Sequence, residues 1–173
     1  MAAPQISGAL ALLLDSGVAG VKEAKALLIN SSDRVGWSRD WGWGGAHLQN
    51  ALRQREWIAS ARVSAGAARY YRMGVDGTAR STLVWNRRIG GISPDGKTFF
   101  GDFRDLNLLA YEEATNRLVD ASSSKIDNVE QIALRGEGVA LVKVTHLSKE
   151  EGDEPYALAF STGQVEEVKP GRL

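Results

Sequence analysis

The first third of the chain carries apolar residues at helical spacing, and the rest carries them in short runs at strand spacing. Ile6, Leu10, Leu13 and Leu14 recur with the 3.6-residue period, and Ala9, Ala11 and Leu12 fill the other sides. A helix apolar nearly all round is built to be surrounded. Ser7, Gly8, Ala9 and Ala11 are small enough for a neighbouring backbone to come close. Pro4 suits the first turn, where a missing N–H costs nothing, and Gly17 stops the helix. A second helix is predicted from about Val21 to Asn30. It turns Val21, Ala24, Leu27 and Leu28 inward, and Lys22, Glu23 and Lys25 to water. Asn30-Ser31-Ser32-Asp33 breaks it, and a Gly- and Trp-rich loop follows from Gly36 to Gly45. A third helix is expected from about Ala46 to Ser60, carrying Leu48, Ala51, Leu52 and Ile58.

The pattern changes near Arg62. Runs rich in β-branched and aromatic residues lie between Gly, Asp, Asn and Ser. They are Tyr70–Val75, Ser81–Asn86, Leu106–Glu112, Arg117–Ala121, Val129–Leu134, Val139–His146 and Tyr156–Phe160. Short strands separated by turns predict an antiparallel β-sandwich or jelly roll. The tail from Gln164 to Leu173 is charged and reads as loose. The expected fold class is therefore α + β. Helices occupy residues 1–61, a β-sandwich residues 62–163, and a tail residues 164–173.

Composition narrows the chemistry. The 173 residues are 43% apolar and 24% charged, ordinary globular values. Basic and acidic residues balance at 21 each and no long basic run occurs, which argues against nucleic acid and an anionic membrane as partners. With no cysteine, disulfides, thiolate zinc and a Cys nucleophile are excluded. The apolar stretch ending at Asp15 falls short of the roughly 20 residues that span a bilayer.

Three pieces in order resemble subtilisin-like serine proteases (subtilases). Met1-Ala2-Ala3-Pro4 leading into an apolar helix resembles the family's G-T-S-M-A-A-P segment and the buried helix after it. Val21 to Ser32 is similar to the family's V-K-x-x-L-L-x-N-T-A helix, and Gly42-Trp43-Gly44 before an Ala- and Leu-bearing helix resembles its G-x-G-x-V-N-A-x-x-A-L. Gln5 stands where the family usually has histidine, and His47-Leu48-Gln49-Asn50 replaces V-N-A. Residues 63–161 resemble the jelly-roll domain appended to some bacterial subtilases, of the pre-peptidase C-terminal type. The likeness rests on Ser81-Thr82-Leu83-Val84-Trp85, on Asp105-Leu106-Asn107-Leu108, on Asp127-Asn128-Val129-Glu130-Gln131-Ile132 and on Glu154-Pro155-Tyr156-Ala157-Leu158-Ala159.

The resemblance implies the C-terminal part of a secreted serine endopeptidase, beginning just after the nucleophile. It implies the rest of the peptidase domain as partner, a protein or peptide as the full enzyme's substrate, and an extracellular location. Met1, Ala2, Ala3 and Pro4 would then follow the nucleophile, and the catalytic Asp, His and Ser would lie upstream. The chain alone is expected to be inactive. Its two histidines, His47 and His146, match no catalytic position, and Ser7 sits inside a helix without a nucleophile elbow. Trp37, Trp41 and Trp43 read either as an aromatic platform for sugar or peptide, or as a cover over the helices. Asp102, Asp105 and Asn107 are oxygen donors at short spacing, joined by Asp120, Asp127 and Asn128. Calcium is the candidate cofactor there, against solvated or turn-capping carboxylates. The alternative to the protease reading is a non-enzymatic sandwich module that binds polysaccharide, protein or calcium.

Overall fold

The computed structural model describes residues 2–87, 89–100, 104–147 and 152–169. It is mostly antiparallel β-sheet, with helices α1 (Ala2–Asp15), α2 (Val21–Asn30) and α3 (Leu48–Arg53) laid on one side. The strands are β1 (Ile58–Ser64), β2 (Ala68–Trp85), β3 (Ile89–Ile92), β4 (Thr98–Phe100), β5 (Leu106–Glu112), β6 (Arg117–Ser122), β7 (Val129–His146), β8 (Asp153–Phe160) and β9 (Val165–Val168). Strands β3 and β4 form a separate hairpin. The others make one sheet of order β1-β8-β2-β7-β5-β6, with β9 also paired to β2.

Two strands of double length turn that sheet into a sandwich. β2 and β7 pair in unbroken register from Ala68↔Thr145 to Val84↔Val129. Midway, Gly77 faces Gly136 across the ladder, with φ of 70° and 125°, values open to glycine and strained for other residues. The ladder turns there and its middle is exposed. On one side of the turn, β9 flanks β2 through Tyr70–Met73 and β5 flanks β7 through Ala140–His146. On the other side, β8 flanks β2 through Ser81–Trp85 and β1 flanks β8. The halves face each other. The Tyr71 and Tyr156 hydroxyls meet at 2.7 Å, and the Tyr71 and Phe160 rings lie 5.7 Å apart. Met73, Leu83, Trp85, Leu108, Ile132 and Leu158 fill the space between.

The alternate residues of the second layer form another core. Val84, Val129, Ala157 and Ala159 meet Leu13, Ala24, Leu27 and Ala51 from the helices. This explains the unbroken burial of Tyr156 to Phe160: large residues point into the sandwich, and the alanines between them admit α2. A Schellman turn ends α1. Gly17, at φ 95°, donates to the Leu14 carbonyl, and Val18 donates to the Leu13 carbonyl.

Several expectations change. The third helix covers only Leu48–Arg53, and Ile58–Ser64 is a strand, because its residues find the open edge of β8. Part of the tail, Val165–Val168, pairs with Tyr70–Met73. Four of the short strands are halves of β2 and β7.

Candidate functional site

Among the described residues no nucleophilic constellation forms. The Ser7 hydroxyl donates to the Ala3 carbonyl one turn back at 3.1 Å and faces solvent. His47 is exposed ahead of α3. His146 is fully buried at the end of β7, its Nδ1 3.3 Å from the Val63 carbonyl and its Nε2 without a partner among the described residues. Ala3 and Pro4 are exposed on α1, and Met1 lies outside the described residues.

The carboxylates proposed around calcium divide by their use. Asp120 accepts the Ala133 and Ala121 N–H groups, so it joins β6 to β7. Asp127 accepts the Ser124 hydroxyl at 2.8 Å, and Asn128 donates to the Trp85 carbonyl at 2.6 Å. These three cap backbone and turns. Asp105 and Asn107 differ: each keeps a buried Oδ1 with no hydrogen-bond partner among the described residues. Burial raises the Asp105 pKa, against the pull of Lys125 and His146. Asp102 lies outside the described residues. Among the described residues no three His, Asp or Glu side chains converge on a metal position. Two bare oxygens supply part of the six to eight that calcium takes, which leaves the remainder to other groups or water.

Sequence reasoning passed over Glu130. It is 2% exposed and accepts both the Ser122 hydroxyl and, at 2.6 Å, the Ser124 N–H. Burial nevertheless raises its pKa. Its signal was the Asn128-Val129-Glu130 run, whose polar ends clamp the β6–β7 connection onto the sandwich.

The tryptophan loop also divides. Trp43 packs against the helical core, whereas Trp37 and Trp41 are 62% and 64% exposed. The Arg34 guanidinium stacks 4.8 Å from the Trp41 ring centre. Asp33 holds the loop base by accepting the Gly45 N–H at 2.7 Å.

A cleft of about 540 Å³ opens where the end of α2 meets the turning ladder. Arg80 reaches across it from β2. Its Nη1 donates to the Asn30 carbonyl at 3.1 Å and the Ser32 carbonyl at 2.9 Å, closing the negative end of α2. Asn30 completes the seam: its Oδ1 accepts the Thr82 hydroxyl, and its Nδ2 donates to Gln54.

The geometry defines an antiparallel β-sandwich bearing a helical layer. No family model and no curated protein matches the chain. The solved structures that are similar in part include the following two. One is the pre-peptidase C-terminal domain of a Bacillus anthracis collagenase, at 12% identity over 59% of this chain and 87% of that one, TM-score 0.39. The other is PliG of Aeromonas hydrophila, a periplasmic inhibitor of g-type lysozyme, at 15% identity over 63% and 84%, TM-score 0.38. At these values neither likeness carries a function across.

Proposed function

We propose that the chain is the C-terminal part of a secreted subtilisin-like serine endopeptidase. Upstream segments would supply the catalytic Asp, His and Ser, and the sandwich would be a non-catalytic appendage fixed to the peptidase body by the helices. One observation carries this reading. Helix α1 is apolar nearly all round, yet among its described side chains only Ala9 and Leu13 are buried, while Ile6, Leu12 and Leu14 remain 39%, 53% and 40% exposed. Such a surface suits a helix covered by further protein. The motif likeness around Met1 to Pro4 names the peptidase domain as that cover. The test is the in-frame coding sequence directly upstream of the Met1 codon. Codons for Gly-Thr-Ser there, with Asp and His motifs further up, are expected. A stop codon followed by a ribosome-binding site would overturn the reading.

The bare oxygens of Asp105 and Asn107 favour a second property, calcium binding near Asp102, Asp105 and Asn107. Calorimetric titration of the chain with calcium chloride should show saturable heat that Asp105→Asn abolishes. No heat at millimolar calcium would rule the site out.

A further inference from the structure

The cleft beside Arg80 presents more hydrogen-bond donors than the chain consumes. Arg80 is half-buried, and both side-chain bonds it makes to the described residues use Nη1. Its Nε and Nη2 therefore have no partner among the described residues. Arg135, also on the wall, is exposed and makes no side-chain bond or ion pair among them. The Asn50 amide is likewise unpaired. Gln54 uses its Oε1 to accept from Asn30, which leaves its amide hydrogens unused. Ser161 accepts the Arg80 N–H, which leaves its own hydroxyl hydrogen unused.

The charge is one-sided too. Among the described residues no carboxylate lines the cleft; Asp33 acts on Arg80 from outside and accepts the Gly45 N–H. Burial lowers the Arg80 pKa, so an incoming anion would offset part of its desolvation. The carbonyls at the end of α2 hold the guanidinium in place, so little order is lost on binding.

We propose that this cleft binds the C-terminal carboxylate of a peptide, with Arg80 and Arg135 on the carboxylate and Asn50 and Gln54 on the last peptide groups. Guanidinium donors match a carboxylate in pairs. Side-chain amides both donate and accept, which suits a peptide bond. Val35, 57% exposed, adds apolar wall for a small terminal side chain. Among the described residues no aromatic side chain lines the cleft to stack on a sugar ring. The volume lies within the range of small-ligand sites. The inference stands apart from α1 and survives if the upstream-peptidase reading fails.

The experiment is an NMR titration of the full ¹⁵N-labelled chain with N-acetyl-trialanine, its C-terminal amide, digalacturonate and inorganic phosphate. The free-acid peptide should bind with a millimolar dissociation constant and shift the Arg side-chain Nε–Hε resonances. The amide should bind about tenfold more weakly, as loss of one charge-assisted contact implies. Arg135→Glu and Asn50→Asp, both at exposed positions, should keep the parent spectrum and lose the response. Equal binding of acid and amide, an undiminished response in Arg135→Glu, or no response at millimolar peptide would overturn the proposal. Binding of digalacturonate without the peptide would reassign the cleft to acidic sugars, and equal binding of phosphate would reduce it to an unselective anion site.

Discussion

Leu27→Ala tests whether the helices and the sandwich are one cooperative body. Leu27 is fully buried, on a helix that packs across β2 and β8, in a cluster with Val84, Ala157 and Ala159. The change deletes three carbons, worth about 2.4 kcal/mol at roughly 0.8 kcal/mol each. The void adds to this, because the neighbours are sheet-bound and fill it only in part, which brings the expected loss to about 3–4 kcal/mol. For a chain of this length that lowers Tm by roughly 6–16 °C. Thermal unfolding should be followed by circular dichroism at 222 nm and by tryptophan emission in a parent carrying Trp37→Phe, Trp41→Phe and Trp43→Phe, whose emitters are Trp85, inside the sandwich at 1% exposure, and Trp57, packed against it. Both signals should move together. Leu12→Ala, at a position 53% exposed, should stay within about 0.5 kcal/mol of the parent in this chain. A drop in the helical signal with tryptophan emission unmoved would refute the single-body account.

Three further outcomes are expected. Tyr71→Phe strands the buried Tyr156 hydroxyl and should cost about 1–2 kcal/mol in urea unfolding, with the Tyr71→Phe/Tyr156→Phe double variant recovering part of it. Gly44→Ala should cost about 1–3 kcal/mol and alter tryptophan emission, because φ is 93° and the new Cβ would lie 2.5 Å from Asp33 Oδ1. Glu130 has a folded-state pKa raised by burial, so the native state takes up its proton at higher pH than the unfolded state. Its stabilising contribution is therefore smallest above the folded pKa, grows as pH falls through it, and is complete below the unfolded value. Relative to Glu130→Gln, the parent should gain urea resistance between pH 7 and pH 4; a relative loss would contradict the shift.

The sequence made α1 and α2 legible because their apolar period is strong and Gly17 and Asn30 punctuate it. The sandwich strands were legible by alternation, but their lengths were not. Asp76-Gly77 and Gly136-Glu137-Gly138 carry turn chemistry, yet these residues pair with one another at the bend of a continuous ladder. Composition cannot separate a turn that ends a strand from one that bends it. The first residues of strand β1, Ile58 to Ser60, fall inside the expected third helix because nothing local ends that helix before them, and only the edge of β8 decides otherwise. Of the site residues, Asp105 and Asn107 were identifiable by type, but their lack of partners was not. The Arg80 cleft joins α2, α3, β2 and β7, an arrangement no local run encodes.

The bent β2–β7 ladder has a kinetic consequence. Val84 cannot meet Val129 until the intervening chain has closed into a loop, so neither layer can assemble by local zippering. Refolding should fall in the millisecond-to-second range of sandwiches rather than the microseconds of helical bundles. During that interval the apolar run Tyr156 to Phe160 stays unpaired, making it the segment through which crowded chains would first adhere to one another. Dilution during refolding, more than any stabilising additive, should decide the yield of native protein.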